Sequence, residues 1–372
     1  MRKTRLILKI TLFFFTLGTS LYGIFLPIYF LKNGLSMTQV MIFLTVYSLG
    51  GFASNIFSNY FLHRFGLNIF LITRGLVEPL VTVYYNSLNF SFLSLNIIGF
   101  ISGYVIYSFW LAIDVFIMKS TFSKERGKQQ GDIYSALWIA VILSPFIGGF
   151  LISKISYNLM FVFAFFLLIA GGILSFFIRL DVKIKKKLNW FSQSRNDLGK
   201  IMILNLIRGV SFGICGYLLG LLVFEIMSEE FYVGIFGLIF GVANLIATST
   251  TGYLIDKLNK KKILFVLYLI LGILWFGLIL AQSSLFIFPL IVLANLFYQG
   301  LNVPMNTVFF NEIEKADTAS LIAEKNMAFS FGQIMIFPAF IFFGYTGVFF
   351  FAGTASLLSL FFLKNLNLDN EL

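Results

Sequence analysis

One cysteine and one histidine in 372 residues exclude a disulfide framework and any metal centre built from clustered Cys and His ligands. Cys215 sits inside an apolar run, where a lone thiol behaves as a small packing residue. Charge is scarce too: Asp, Glu, Lys and Arg make up only 12% of the chain. No Gly-x-x-x-x-Gly-Lys-Ser/Thr loop is present, and no polar stretch is long enough to form a nucleotide-binding domain, so ATP does not drive this chain by itself. The few acids form no cluster suited to catalysis, and neither an enzyme nor a bound cofactor is expected.

What the chain has is apolar mass. Hydrophobic residues are 59% of it, with 49 phenylalanines, which makes it an integral membrane protein whose first partner is the lipid bilayer. A net charge of +11 would suit nucleic acid if it lay on one folded face. Here the basic residues fall in short loops between apolar runs, so topology explains them and nucleic acid is not expected. The opening Met1-Arg-Lys-Thr-Arg5 has the charge order of a signal peptide. The apolar run after it, Ile10 to Leu31, is too long and lacks a cleavage site, so it reads as a retained first helix.

Apolar runs of about 20 residues, the length that crosses a hydrocarbon core, predict twelve spans. They lie near 6–31, 38–61, 67–86, 90–118, 131–153, 156–180, 199–224, 231–255, 262–281, 284–310, 318–343 and 345–363. All but four of the 27 Lys and Arg (Lys32, Lys154, Arg74 and Arg208) are assigned to one face, which places both termini in the cytoplasm of a multi-pass cell-membrane protein. The polar stretch 181–198 separates 1–180 from 199–372, six spans on each side. The halves read as a repeat: His63 and Asp256, and Pro145 and Pro338, lie 193 residues apart, and Asp114 and Asn306 lie 192 apart.

The loop Gly252-Tyr-Leu-Ile-Asp256-Lys257-Leu-Asn259-Lys260-Lys261 resembles the cytoplasmic signature of the major facilitator superfamily, Gly-x-Leu-x-Asp-basic-x-Gly-basic-basic. Asn259 stands where the pattern has Gly, a swap that Asn tolerates because it reaches left-handed backbone. A worn copy in the first half keeps Arg64 and Gly66 but has His63 in place of the acid. Ser144-Pro145-Phe-Ile-Gly148-Gly149 is similar to a helix-packing element of exporters and antiporters in that superfamily. The resemblance implies an all-α membrane fold of two pseudo-symmetric six-helix bundles, with spans one, four, seven and ten lining a central cavity. It implies that the signature acid braces a neighbouring helix in one access state, with Arg64, Lys257 and a protonatable His63 as its companions.

Polar residues inside spans mark an aqueous path or a structural pair. Asn295, Gln299, Asn302 and Asn306 recur at i, i+4, i+7 and i+11, one stripe of span ten. The repeat puts Tyr107, Trp110 and Asp114 on the matching stripe of span four. The lining spans then add Arg208 and Asn205 from span seven, and Thr19 and Tyr22 from span one. Arg208 lies about 13 Å into its span, where a guanidinium favours a carboxylate or phosphate held by two hydrogen bonds. A structural pair with Asp114 is the competing account. Asp114, near its helix end, also has the alternative of bridging to the signature loop. Arg74 and Glu78, one turn apart in span three, read as a self-neutralising pair, with Glu78 a proton carrier if it meets the cavity.

The expected function is secondary active transport of a small organic solute by a monomer, through rocker-switch alternating access. Export against a proton leads on the span-five element, with anion uptake by symport through Arg208 as the alternative. Transport of a lipid or lysolipid past Phe-rich walls is a rival, and a non-transporting receptor another.

Overall fold

The structure, a computed structural model, describes residues 2–87, 91–121, 126–178, 196–281, 283–313 and 318–366. Most of the 181–198 connector lies outside the described residues. All regular structure among the described residues is helical. Among the described residues, ten helices are long and apolar enough to cross a membrane. The first half contains α1 (Arg2–Gly23), α2 (Leu26–Lys32), α3 (Met37–Phe65), α4 (Asn68–Asn86), α5 (Phe92–Ser120), α6 (Arg126–Lys154) and α7 (Tyr157–Ser175). The second contains α8 (Asn196–Gly213), α9 (Leu219–Met227), α10 (Glu230–Ile255), α11 (Lys260–Leu280), α12 (Ser284–Gly300), α13 (Asn302–Glu312) and α14 (Thr318–Lys364).

Three sequence spans prove interrupted, each for a local reason. Span one is α1 plus α2, parted at Ile24 and Phe25; Pro27 follows and lacks the N–H that would reach Gly23. Span seven is α8 and α9 joined through a π-helical turn, Ile214–Leu218. Span ten breaks at Leu301, and Pro304 has no N–H for the Gly300 carbonyl. In contrast, α6 runs continuously through Pro145. α14 is 47 residues long, about 70 Å, and crosses twice around Gly344, whose φ of +60° favours glycine. Among the helix starts, Ser36 forms a capping box with Gln39, and Ser91 and Ser156 accept from backbone N–H groups three residues on.

α1–α7 form one six-span bundle and α8–α14 the other, and the packing within them repeats. In the first, α3 packs on α5, α1 on α6 and α7, and α4 on α7; in the second, α10 packs on α12, and α8 and α11 on α14. The bundles meet along two seams, α6 against α10 and α3 against α14. At the first seam a Cβ added to Gly149 would lie 2.9 Å from the Glu230 carbonyl oxygen and 3.0 Å from Gly234 Cα. Small residues there let the backbones touch. Gly148 faces the other way, against the Leu21 carbonyl of α1. Phe166, Phe177, Phe342, Phe343 and Phe361 are exposed on the perimeter, the apolar girdle that lipid covers.

One face of the assembly carries the start of α1 and the end of α14 (the terminal face). There Lys261 Nζ donates to the carbonyls of Lys364 (2.7 Å) and Leu366 (3.1 Å), and Lys200 Nζ to that of Asn365. These lysines satisfy the carbonyls that a helix end leaves unpaired.

Candidate functional site

Between the bundles lies a cavity of about 510 Å³, a size suited to small organic molecules. One third of its lining residues are aromatic, among them Tyr22, Tyr47, Trp110, Trp138, Phe212 and Tyr298. Against this wall a few polar groups stand out.

The amides of span ten all line the cavity, since the break at Leu301 leaves both halves facing inward. Asn295 Nδ2 donates to Asn244 Oδ1 of α10 at 2.8 Å, and Asn302 Nδ2 donates to Gln299 Oε1. Asn306 Oδ1 accepts from Lys325 Nζ at 3.0 Å. Tyr107, Trp110 and Asp114 line the cavity from α5, and Thr19 and Tyr22 from α1. Asn205 does not line it: its amide folds back one turn, donating to the Ile201 carbonyl at 2.9 Å, and it is fully buried.

Arg208 lines the cavity and is only 6% exposed. Its guanidinium lies 5.0 Å from the Phe329 ring centre, yet Nε and Nη1 have no hydrogen-bond partner. Asp114, the candidate structural partner, is engaged elsewhere: its Oδ2 accepts from Lys325 Nζ at 3.0 Å and from Asn326 Nδ2 at 3.3 Å. An ion pair therefore joins the bundles, α5 to α14, with side-chain exposures of 1% for Lys325 and 10% for Asp114. Two sequence expectations are thereby corrected. Asp114 does not reach the signature loop, and Lys325 does not belong with the face lysines but turns into the cavity.

The Arg74–Glu78 pair is also corrected. The two do not bond to each other: Glu78, fully buried, accepts from Tyr22 OH at 3.3 Å and Ser102 Oγ at 3.0 Å. Arg74 Nη2 reaches Thr19 Oγ1 at 3.4 Å, and its guanidinium lies between the Phe15 and Phe109 rings, 4.9 and 4.3 Å from their centres. Neighbouring helices supply better partners than the helix's own next turn. Arg74 lines the cavity, with Glu78 directly behind Tyr22 and Ser102.

Polar contacts join the bundles at both ends of the cavity. On the terminal face, Asp256 accepts from the backbone N–H of Gly127 (3.3 Å) and Lys128 (3.1 Å), capping the first turn of α6, where the helix dipole favours an anion. Arg126 donates to Asn311 Oδ1 beside it. Lys257 folds onto the Tyr253 ring, 4.0 Å from its centre, and Arg64, exposed, lies over Phe65. The side chain of His63 lies outside the described residues. At the opposite face Lys32 pairs with Glu230, which also accepts from Tyr157 OH at 2.9 Å. Deeper in the α3–α14 seam, Gln333 Oε1 accepts from Tyr107 OH and from Ser48 Oγ at 3.4 Å. Alanine at Asp256 is expected to remove about 1 kcal/mol from the α6 start, seen as faster amide exchange at Gly127 and Lys128 with the α1 amides unaffected; equal exchange would deny it a bracing role.

Sequence reasoning missed Lys325, Asn326, Asn244 and Gln333. Lys325 carried a usable signal, a basic residue seven positions past Thr318 and inside an expected span, beside Glu324.

The family model described as the Major Facilitator Superfamily matches residues 8–198. No curated protein matches the sequence. Among solved structures, the human organic anion transporter MFSD10 (TETRAN) superposes with a TM-score of 0.75 at 11% identity, over 97% of this chain and 99% of its own. A bacterial homologue of the iron transporter ferroportin in its outward-facing state gives 0.75 at 14% identity, over 97% and 98%. The same homologue with soaked iron gives 0.74 at 14%, over 98% and 99%. At such identities these structures share the fold with this chain.

Proposed function

The chain belongs to the Major Facilitator Superfamily, and from that membership, which makes it a membrane transporter rather than an enzyme, we propose that it carries a small amphipathic organic anion. The observation that carries this reading is Arg208, a buried guanidinium with Nε and Nη1 unpartnered on the wall of a 510 Å³ cavity. An unpaired buried charge is costly, and a carboxylate or phosphate that accepts both N–H groups removes the cost. The aromatic walls and the Asn295–Asn306 amides suit the body of such a solute. The similar human protein MFSD10 is an organic anion transporter, which agrees in kind. Iron suits this cavity poorly, because Arg74, Arg208 and Lys325 turn three cations toward it.

The halves 1–180 and 199–372 rock about this site in a cell-membrane monomer, with the 181–198 connector and both termini in the cytoplasm. The contacts on the terminal face and at Lys32–Glu230 break alternately in that scheme. Two coupling schemes meet the cavity. Export in exchange for a proton draws on the Pro145, Gly148 and Gly149 packing element, and co-transport of anion and proton on the acid–cation pair beside Arg208.

The test is counterflow in proteoliposomes against a panel of aromatic and aliphatic carboxylates, organic cations, sugars and lysolipids. Saturable exchange of carboxylates alone is expected. Exchange of lysolipids alone transfers the chain to the lipid-handling class, and exchange of cations alone removes the role given to Arg208.

A further inference from the structure

Each bundle turns one guanidinium with free nitrogens toward the cavity. Arg208 of α8 is one; Arg74 of α4 is the other, 2% exposed, with Nε and Nη1 lacking a hydrogen-bond partner. Arg74 Nη2 reaches Thr19, and the Phe15 and Phe109 rings pack on the guanidinium. A guanidinium donates in its own plane, so the rings do not take the place of an acceptor. Glu78, one turn on, lies within electrostatic reach but accepts no N–H from Arg74, because it is bonded by Tyr22 and Ser102. It tempers the buried charge and leaves the free nitrogens as they are.

The charges of the wall point the same way. Among the described lining residues Arg74, Arg208 and Lys325 are cationic and Asp114 alone is anionic. Lys325 is taken up by Asp114 at 3.0 Å, which leaves two cations on the wall and no lining carboxylate to face them. The repeat sets these two at a similar depth. Arg208 and Phe15 lie 193 residues apart, the offset that relates Pro145 to Pro338, so Arg208 stands in span seven where Phe15 stands in span one. The Arg74 guanidinium lies 4.9 Å from that Phe15 ring. Aromatic surface adjoins both cations. Phe109 beside Arg74 packs on Trp110, Phe329 beside Arg208 packs on Phe212, and Trp110 and Phe212 line the cavity.

We propose that the solute is a dicarboxylate with an apolar spacer, one carboxylate on Arg208 and the other on Arg74, so that Arg74 selects two-headed anions over single-headed ones. The inference rests on the anion reading of Arg208 and extends it to the far end of the solute. A monocarboxylate leaves the Arg74 nitrogens unfilled, whereas a dicarboxylate fills the free positions in both bundles. Arg208 has no acid bonded through its neighbours in the way that Arg74 has Glu78, so it is the stronger subsite and takes a lone carboxylate first. The charge-assisted contact at Arg74 then contributes about tenfold or more in affinity.

The test is isothermal titration calorimetry on the purified protein near neutral pH, where free carboxylates are ionised. A series of α,ω-dicarboxylates of increasing length is compared, each with its own monomethyl ester, which keeps the body and one carboxylate. The diacid is expected to bind about tenfold or more tighter than its half-ester at the best length. That preference should pass through a maximum, since a short spacer reaches one guanidinium only and a long one must fold to fit. Arg74→Gln should lower the ratio to about twofold, the statistical advantage of two equal ends, while leaving half-ester affinity near wild type. Arg74→Lys, which keeps the charge and loses the fork, should give an intermediate ratio. Both ligands are measured on the same sample, so the ratio does not depend on how much of a variant is folded.

The wild-type ratio decides the matter even where neither Arg74 variant folds. A ratio near twofold at every length, with half-ester binding that Arg208→Gln abolishes, overturns this inference alone. So does a tenfold ratio that Arg74→Gln keeps in full. Affinity that rises steadily with length, equally for diacids and half-esters, reports apolar burial and also overturns it. Half-ester binding that Arg208→Gln leaves unchanged, or no binding of either ligand at any length, removes the anion reading of Arg208 and this inference with it.

Discussion

Replacing Arg208 with alanine is expected to abolish organic-anion transport while raising the thermal stability of the protein. The two effects have one cause. Arg208 is 6% exposed, and its Nε and Nη1 have no partner, so its charge is met by no ion pair and by one ring face, Phe329 at 5.0 Å. Removing an uncompensated buried charge should stabilise the fold by about 1 kcal/mol or more. Losing two charge-assisted hydrogen bonds to the solute should lower transport by about 100-fold or more. Lysine at the same position keeps the charge and loses the fork, so intermediate transport is expected. Thermal unfolding in detergent and counterflow in proteoliposomes check the pair of effects. A structural role makes the opposite forecast: stability falls on truncation and transport survives in proportion to the protein that remains folded.

The amide stripe was legible because it obeys a local rule. Residues 295, 299, 302 and 306 share a helix face by their spacing, and even the break at Leu301 leaves all four on the cavity wall. The two-bundle fold was legible for a similar reason, since span lengths and a repeat offset need no knowledge of long-range contacts. The partners of the charges were not. Asp114 and Lys325 are 211 residues apart in sequence, and Ser48 and Gln333 are 285 apart; no periodicity links such positions. Arg74 and Glu78 show how a local rule misleads. One-turn spacing forms pairs on a solvated helix surface, but in a packed bundle Tyr22 and Ser102 present hydroxyls to Glu78 while two phenyl rings enclose Arg74. Asn205 failed likewise: its amide bonds the Ile201 carbonyl of its own helix, one turn back, and does not line the cavity.

The largest stability effect is expected at the Asp114–Lys325 pair, and in the single substitutions rather than the double. Asp114→Asn leaves the Lys325 ammonium 1% exposed with Asn306 as its remaining strong acceptor. Lys325→Met leaves the Asp114 carboxylate with Asn326 alone. Each single change strands a buried charge and should cost about 3–5 kcal/mol. The double variant Asp114→Asn/Lys325→Met strands none, and Met fills much of the volume of the lysine stem, so its stability should return to within about 1 kcal/mol of wild type. A thermodynamic cycle from the four proteins' unfolding isolates the coupling. Near-additive singles would mean that the pair is solvated in practice, and such a pair could not hold the bundles together. Strong coupling carries a functional corollary. The double variant, stable but without the ion pair between α5 and α14, should still bind anions through Arg208. A fold rescued and transport altered in the same molecule would separate the pair's structural contribution from its part in transport.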